Sequence, residues 1–409
     1  MKRPLLALIL AQALSLTGTR LSTVAIPWLV LTTTGDPVLT GLVGLAEMLP
    51  YVLAKALGGP WVDRLGARTI SLWCDLVSLA AIGIIPVLEG FDLLSLPVLL
   101  PLVAVLGMLR GPSDVAKYSL VPEVARRAGL RLERVTGTMG AVERLASTVG
   151  AAAAGALIAL IGAGPALIVN AVTLALSALV VAWGLPRAAS AGAAALPYRQ
   201  QLREGWNFLR HDPVLMGIVI MVMITNLFDQ AHAAVMLPVW VQTHGHDAAL
   251  LGLLLAIMSG ASIAGSLLAG ATGERLPRLL VYTAAYLIVG FPRFAVFAFE
   301  APLALIATVL VIGGFASGFL NPILSAISFE RTPAALVGRV MALIGAISWG
   351  LIPFGGLVGG ALIAGLGLDA ALLIAGGCYL VVTLMPLALP SFRQFDRPPL
   401  NAAGEIAKE

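Results

Sequence analysis

Charged side chains are scarce in this chain of 409 residues. Lysine, arginine, aspartate and glutamate make up 11% of it, against about 25% in an ordinary soluble domain. Hydrophobic residues make up 59%, and the mean hydropathy is +0.98. A soluble fold of this length cannot bury so much apolar surface, because much of any folded surface faces water. The composition argues against a soluble enzyme, a disordered chain and a nucleic-acid-binding protein. It predicts a protein that crosses a membrane several times.

Cysteine, histidine and the sequence motifs of enzymes are also scarce. The chain has two cysteines and four histidines. Both Cys74 and Cys378 lie in apolar runs, which fits neither a disulfide framework nor a zinc site. The sequence contains no phosphate-binding Gly-x-x-x-x-Gly-Lys-Ser/Thr loop, no His-Glu-x-x-His motif and no nucleophile elbow. We therefore expect no metal, no cofactor, no direct use of ATP and no enzymatic activity.

Long apolar segments dominate the sequence instead. A helix of about 20 apolar residues crosses the hydrocarbon core of a bilayer. The first segment is too long for a cleaved signal peptide, so we count it as a span. The pattern predicts an all-α membrane protein with twelve transmembrane helices. The predicted spans are residues 4–33, 37–57, 69–89, 93–119, 135–162, 164–185, 213–243, 248–270, 279–299, 301–328, 338–364 and 367–389.

Basic residues lie on only one side of the predicted membrane. The loops on the side of the two termini are rich in arginine and lysine. The opposite loops contain neither, and they carry acidic residues such as Asp36, Glu89 and Asp247. Cytoplasmic loops are enriched in lysine and arginine. We therefore expect a multi-pass protein of the inner or plasma membrane, with both termini in the cytoplasm.

The two halves of the sequence are weakly similar to each other. Residues of the first half recur at an offset of 211, as Gly107 and Gly318 do. Six spans return the chain to the same side, so the halves are parallel six-helix pseudo-repeats. Between them, Leu202, Trp206 and Leu209 share one helical face, which predicts an amphipathic helix at the cytoplasmic interface. The predicted domains are a six-helix bundle (1–185), a linker (186–212), a second six-helix bundle (213–390) and a tail (391–409).

One loop carries a family signature. The loop between spans 2 and 3 reads Gly59-Pro-Trp-Val-Asp63-Arg64-Leu-Gly66-Ala67-Arg68. It resembles the signature loop of the major facilitator superfamily, Gly-x-x-x-Asp-Arg-x-Gly followed by two basic residues, with alanine in place of the first. Within that superfamily the chain resembles the branch of macrolide-efflux, enterobactin-exporter and Tap-like multidrug pumps. The residues that suggest this branch are Ala25-Ile-Pro27-Trp28, Glu204-Gly205 and Gly338-Arg339-Val340.

The resemblance implies a major facilitator fold, a monomer and a latch on the cytoplasmic side. Asp63 is expected to bind the N-terminus of span 11 near Gly338, where free N–H groups and the helix dipole favour a carboxylate. Asp114 is expected to anchor the arginines of the loop. The alternative is an element that serves topology and folding only. The candidate gating residues are Gly59, Asp63, Arg64, Gly66, Arg68, Asp114, Gly338 and Arg339, with Glu274 and Arg275 in a degenerate copy of the loop.

Span 7 carries an acid deep in the membrane, and an intramembrane charge indicates function by default. Asn226 and His232 lie three residues to either side of Asp229, roughly on one helical face. An acid beside a histidine in a low-dielectric cavity can titrate near neutral pH. These three residues are the best candidates for a proton-coupling or cation-binding site. Alternatively, Asp229 and His232 satisfy each other, or Asp229 neutralises Arg20.

Further charges lie in the spans of the first half. Arg20 and Glu47 lie at comparable depths in spans 1 and 2 and are expected to pair, either structurally or as a substrate or proton site. Lys55 and Asp75, toward the inner ends of spans 2 and 3, are expected to form a structural pair.

Span 4 provides one more candidate. Members of the superfamily often carry a functional arginine there, which makes Arg110 and its counterpart in the repeat, Asn321, candidates for substrate or proton binding. Prolines within the spans are expected to bend the moving helices. These prolines are Pro27, Pro238, Pro322 and Pro353.

The leading functional interpretation is a secondary active exporter of amphipathic or lipophilic, drug-like compounds, driven by proton entry through alternating access. A mostly apolar cavity with few charges suits such compounds better than sugars, whose hydroxyl groups need many polar partners. One alternative is a dedicated exporter of a native metabolite such as a siderophore, or a lysolipid transporter. Another is a membrane sensor or scaffold without flux. Under every interpretation the partners are a small molecule and the lipid bilayer, and nucleic acid is not one.

Overall fold

The computed structural model describes residues 3–57, 61–62, 65–130, 132–185, 198–272, 277–333 and 336–395. Within these ranges the chain is almost entirely helical and contains no β-strand. Eleven of the described helices are long and apolar enough to cross a membrane, and the shorter apolar helix Val149–Ile161 accounts for a further span. The predicted all-α membrane protein with twelve transmembrane helices is confirmed.

The helices of the first half agree with the predicted spans to within a few residues. The short helix α5 was not predicted, and it buries Val121, Val124 and Ala125. Gly66 precedes α3 with φ of 84°, a backbone conformation that favours glycine. The helices are α1 (Arg3–Thr34), α2 (Pro37–Leu57), α3 (Ala67–Gly90), α4 (Leu96–Ser119), α5 (Val121–Ala128), α6 (Leu132–Ile161) and α7 (Ala163–Gly184).

The second half begins with the predicted linker helix, α8, whose Leu209 is buried. Asp212 then caps α9, because its carboxylate accepts hydrogen bonds from the backbone N–H groups of Val214 and Leu215. The helices are α8 (Tyr198–His211), α9 (Pro213–Ala231), α10 (Leu237–Thr243), α11 (Ala248–Thr272), α12 (Arg278–Val289), α13 (Phe291–Ala298), α14 (Leu303–Ser317), α15 (Leu320–Arg331), α16 (Val337–Trp349), α17 (Ile352–Leu366), α18 (Leu368–Thr383) and α19 (Met385–Ala388).

Prolines interrupt several spans of the second half. Pro238 follows a π-helical segment, His232–Met236, between α9 and α10. Pro322 and Pro353 each lie near the start of a new helix, and Pro292 does so as well. Proline lacks an N–H group and its ring crowds the carbonyl group four residues earlier, so a regular α-helix cannot continue through it undisturbed. Pro27, by contrast, lies inside the uninterrupted helix α1.

Two compact units can be distinguished by their internal contacts. In the first unit, α1 packs against α6 and α7, and α3 packs against α4 and α7. In the second unit, α9 packs against α16 and α18, and α13 packs against α18. The first unit comprises Met1–Ala193, Ala233–Ala256 and Gly356–Ala364, and the second comprises Ala194–His232, Ile257–Gly355 and Gly365–Glu409.

The close crossing of α2 and α4 in the first unit depends on glycine. A Cβ atom at Gly107 would collide with the carbonyl oxygen of Glu47, and one at Gly111 would lie 2.6 Å from the backbone nitrogen of Lys55. Small residues at such crossings allow two helix backbones to approach closely. Gly318, the counterpart of Gly107 in the repeat, meets the backbone of α11 in the same way within the second unit.

We expect Gly107→Ala to destabilise the protein by about 1–3 kcal/mol, because the added methyl group overpacks a backbone contact. Gly83→Ala in α3 is the matched control, since a Cβ atom there meets nothing within 4 Å. Replacing a helical glycine at an open position stabilises by up to about 1 kcal/mol. The apparent melting temperature of each purified variant in detergent measures the difference. Equal melting temperatures would show that the crossing tolerates a methyl group.

Candidate functional site

An ion pair joins α9 and α13 in the second unit. Arg293 donates from Nη2 to Oδ1 of Asp229 in a short contact. The Arg293 side chain is only 5% exposed, whereas that of Asp229 is 40% exposed. The guanidinium carbon also lies 4.8 Å from the centre of the Phe294 ring and 5.2 Å from that of Tyr379, contacts that stabilise a buried cation. The site therefore combines an accessible carboxylate with a fixed, buried cationic partner.

Two interruptions of the helices position this pair. The π-helical segment begins at His232, directly after α9 and three residues beyond Asp229. On the other side of the pair, α12 ends at Val289. The first turn of α13 follows, in which the backbone N–H of Arg293 donates to the carbonyl oxygen of Gly290 at 3.3 Å. A Cβ atom at Gly290 would lie 2.6 Å from the Tyr379 ring. Glycine at this position therefore allows Tyr379 and Arg293 to approach each other.

The three residues predicted to act together on span 7 have different partners. Asp229 pairs with Arg293, and Asn226 donates from Nδ2 to the carbonyl oxygen of Ser348 at 2.9 Å. The His232 ring is buried between Phe294 and Phe297, with ring centres 5.0 and 5.4 Å away. The alternative that Asp229 and His232 satisfy each other is wrong. Both side chains face α13, but Arg293 binds the carboxylate of Asp229, whereas the His232 ring packs against the aromatic rings beside it.

A second ion pair lies in the first unit, where Arg20 was expected to meet Glu47. Glu47 instead pairs with Arg110, with 3.4 Å between Oε1 and Nη1. The guanidinium carbon of Arg110 lies 4.7 Å from the centre of the Tyr51 ring. The close crossing of α2 and α4 explains this choice of partner, because Gly107 and Gly111 flank Arg110 on α4 and draw it against α2. Asn321, the repeat counterpart of Arg110, is exposed near the start of α15.

Asp75 has a different partner from the one that the sequence suggested. Its Oδ1 atom lies 3.1 Å from Nζ of Lys117, and both side chains are buried. Lys55 donates to the hydroxyl oxygen of Tyr51 at 2.9 Å. The predicted pair of Lys55 and Asp75 is therefore wrong. The reason is that Tyr51 lies one turn before Lys55 on α2, whereas Asp75 faces α4 and α7.

Part of the signature loop can be described. Arg68 donates from Nε to the carbonyl oxygen of Val181 at 3.3 Å and makes a short contact to that of Ala182. A cation at the C-terminal end of a helix, here α7, satisfies free carbonyl groups and interacts favourably with the helix dipole. Arg68 is therefore held by α7, although the family resemblance suggested Asp114. Gly59, Asp63, Arg64, Glu274 and Arg275 lie outside the described residues.

The other proposed latch residues have partners of their own. Tyr51 donates from its hydroxyl group to Oδ2 of Asp114 at 3.1 Å. Gly338 lies in the first turn of α16, and its neighbour Arg339 forms an ion pair with Glu204 of the linker helix α8. A Cβ atom at Gly205 would lie 2.9 Å from Cδ1 of Leu343 on α16. Glu204-Gly205 and Gly338-Arg339 were both among the residues that suggest the branch, but the sequence did not indicate that the two segments contact each other.

Arg293 and Lys117 form ion pairs with Asp229 and Asp75, but neither was among the predicted site residues. The rule that an intramembrane charge indicates function would have identified Arg293, because this arginine lies in the predicted span 279–299. Lys117 lies near the end of a predicted span, where a lysine often extends toward the interface. Only the packing shows that its ammonium group is fully buried instead.

The ion pairs Glu47–Arg110, Asp75–Lys117 and Asp229–Arg293 lie inside helices that are long enough to span a membrane. Among the described residues no group of three or more histidine, cysteine, aspartate or glutamate side chains is arranged to hold a metal ion. Charges inside a bundle of membrane-spanning helices mark paths of substrates and ions. The helical architecture and these sites define the class of the protein as a multi-span membrane transporter.

Comparison with known proteins gives the family. A family model described as Major Facilitator Superfamily matches residues 8–247 and 219–408, so the chain belongs to the major facilitator superfamily. The chain is 29% identical over 404 residues to the multidrug efflux pump Tap of Mycobacterium tuberculosis, covering 97% of this chain and 96% of that protein. It is also 29% identical over 405 residues to Tap of Mycolicibacterium fortuitum, covering 96% and 97%. The crystal structure of the nucleoside transporter NupG matches with a TM-score of 0.72 at 17% identity, over 96% of this chain and 100% of that structure. The predicted resemblance to the superfamily and to its Tap-like members is confirmed.

Proposed function

We propose that this protein exports amphipathic or lipophilic, drug-like compounds from the cytoplasm in exchange for protons. The observation that carries the proposal is the ion pair inside the membrane span, in which a partly exposed Asp229 carboxylate is held by the buried Arg293 guanidinium. The full-length similarity to two proteins named multidrug efflux pump Tap supports the direction of transport and the class of substrate. The apolar composition of the spans supports substrates that are largely apolar themselves.

Asp229 can couple the two fluxes because one carboxylate cannot hold a proton and a cationic partner at the same time. When Asp229 is ionised, Arg293 or the cationic group of a substrate neutralises it. When a proton binds, that attraction is lost and the substrate is released. Arg293 remains in place throughout, because its guanidinium group is stacked on Phe294 and Tyr379.

The change of access is proposed to occur between the two six-helix repeats. The π-helical segment begins at His232, shortly after Asp229, and Pro238 follows that segment; such interruptions are places where a span can bend. On the cytoplasmic side, Asp63 and Gly338 are proposed to form the latch, with both termini on that side. We propose that the protein acts as a monomer, with Arg20, Glu47 and Arg110 as a polar group of the first half.

Transport of a permanently charged dye tests the proposal. In proteoliposomes with an acidic lumen, we expect ethidium to accumulate in the lumen. The molecules responsible are those whose cytoplasmic side faces the bath, because protons that leave the lumen through them drive ethidium inward. A permanently charged dye is needed because a weak base is trapped in an acidic lumen without any protein. A protonophore should abolish the accumulation, and protein-free liposomes should show none.

Two outcomes would contradict the proposal and favour an alternative. Gradient-driven movement of a siderophore or a lysolipid without movement of ethidium would indicate a dedicated metabolite or lipid transporter. Binding of ethidium without flux under any gradient would indicate a sensor. Accumulation that persists in the presence of protonophore would remove the proton as the coupling ion.

A further inference from the structure

The first unit contains a small polar cavity among α1, α2, α3, α4 and α7. Its volume is about 40 Å³. A water molecule needs at least about 10–15 Å³ of such free space, so the cavity has room for a water molecule surrounded by polar partners. The charged side chains that line it are Glu47, Asp75 and Arg110, and the uncharged polar ones include Ser113 and Asn170. Buried polar groups in a membrane-spanning bundle are expensive unless they are satisfied, which favours hydration of this cavity.

The cavity lies between two buried ion pairs. Glu47 pairs with Arg110 at 3.4 Å, and Asp75 pairs with Lys117 at 3.1 Å. Glu47 is 6% exposed, Asp75 is 2% exposed, and Lys117 is completely buried. The cavity therefore brings two carboxylates to one water-sized space.

The two carboxylates are held very differently. Asp75 accepts three hydrogen bonds, from Lys117, from Ser113 at 2.9 Å and from Ser177 at 2.7 Å. Glu47 accepts one long hydrogen bond, from Arg110, among the contacts of the described residues. Hydrogen bonds to the ionised form keep a carboxylate ionised, and burial without them favours the protonated form. Asp75 thus has three donors for its negative charge and Glu47 has one, so Glu47 is the carboxylate of the pair that can take up a proton.

Two guanidinium groups, those of Arg110 and Arg20, lie around Glu47. Arg110 keeps a second contact to the Tyr51 ring when its carboxylate partner is neutralised. Arg20 on α1 also attracts the ionised carboxylate of Glu47, so a proton binds there in competition with two guanidinium groups. Helix α7 contributes only the uncharged Asn170 and Leu174 to the cavity. When Glu47 is neutralised, Lys117 therefore remains paired with Asp75.

An apolar layer closes the site on the side of the termini. The buried cluster that contains Cys74, Ala116 and Val181 lies beside Asp75, Lys117 and Ser177 on the same helices. This cluster is apolar and buried, so it offers water no polar partners on that side of the cavity.

We propose that Glu47 is a second proton-binding residue, so that the transporter binds two protons in each cycle, one at Asp229 and one at Glu47. A water molecule in the cavity passes a proton to the carboxylate of Glu47 and receives one from the next water molecule. Asp75, which Lys117 and two serine hydroxyl groups hold in place, positions that water. This inference rests on the proposed proton-coupled export. It implies that exchange of a singly charged cation for two protons moves one net positive charge.

Infrared difference spectroscopy of the purified protein tests the protonation without any transport. Raising the pH should abolish a carbonyl-stretch band of a buried, protonated carboxyl group. Glu47→Gln should lack this band, whereas the control Glu300→Gln, which changes an exposed loop residue, should retain it. An unchanged band in Glu47→Gln would overturn the proposal.

The positioning role of Asp75 has its own readout. Ser177→Ala removes one of the three hydrogen bonds to Asp75 while leaving the ion pair intact, so this variant is expected to fold. Loss of this hydrogen bond lets the Asp75 carboxylate and the water that it positions shift, so the pH midpoint of the Glu47 band should move in Ser177→Ala, although that serine does not touch Glu47. A midpoint identical to that of the wild type would show that Asp75 has no influence on the site.

Charge movement tests the stoichiometry. On a solid-supported membrane, exchange of ethidium for protons should produce a current with the wild type and no net current with Glu47→Gln, although ethidium still moves. Equal currents in both would contradict a second proton at Glu47. If ethidium is not transported but the Glu47 band is present, the proposed function fails and the proton site stands. If ethidium is transported and the band is unchanged in Glu47→Gln, the proposed function stands and the proton site at Glu47 is wrong.

Discussion

Arg331→Ala is expected to lower the stability of the protein by about 3–5 kcal/mol, since it leaves a buried carboxylate without its cation. Arg331 holds Asp212 with two hydrogen bonds of 2.9 and 3.1 Å, and the side chains are 4% and 6% exposed. It also donates to the carbonyl oxygen of Gln394 at 2.9 Å. The same carboxylate of Asp212 caps α9, so its position determines how the span that carries Asp229 begins.

The apparent melting temperature in detergent measures this effect, and an exposed pair provides the control. Arg278 lies 2.6 Å from Glu330, with side chains 29% and 56% exposed. Exposed ion pairs contribute about 0–1 kcal/mol, so Arg278→Ala should change the melting temperature little. Arg331→Lys should recover only part of the loss, because lysine cannot make the two-pronged contact. Similar losses for Arg331→Ala and Arg278→Ala would show that the buried pair has no special role.

The spans and the linker helix could be predicted from the sequence because they depend on composition over many residues. A run of apolar residues specifies a transmembrane helix whatever it packs against. The alternation of Leu202, Trp206 and Leu209 with charged residues predicted the helix Tyr198–His211 in the same way. The short helix α5 was missed because eight residues with three charges resemble a polar loop.

The partners of the intramembrane charges could not be predicted, because the sequence gives depth along a span but not the rotation of one helix against another. Glu47 and Arg20 were matched by depth alone. Gly107 and Gly111 instead allow α4 to approach α2 closely, so Glu47 forms its ion pair with Arg110. The π-helical segment after Asp229 is similarly invisible in a pattern that assumes 3.6 residues per turn.

The second large effect is expected from Asp229→Asn, which should abolish gradient-driven accumulation of ethidium. Exchange of ethidium across the membrane without a gradient should persist but require a higher ethidium concentration, because the amide resembles the protonated carboxylate, which no longer attracts the cation. The variant also leaves Arg293 buried without a counterion, which should destabilise the protein by about 3–5 kcal/mol. Proteoliposome transport and the melting temperature are therefore measured on the same preparation. Asp369→Asn, at an exposed position of α18, is the matched control and should resemble the wild type in both.

The double variant Asp229→Asn with Arg293→Met separates coupling from charge neutralisation. Removing both charges replaces a buried ion pair by uncharged side chains, which is often neutral for stability, so the melting temperature should recover. If Asp229 carries the proton, gradient-driven accumulation should remain absent although the protein is stable again. If Asp229 serves only to neutralise Arg293, accumulation should return together with stability, and the coupling role proposed for this residue would be wrong. Stability and coupling thus respond in opposite ways to the second substitution, which distinguishes a proton carrier from a structural counterion.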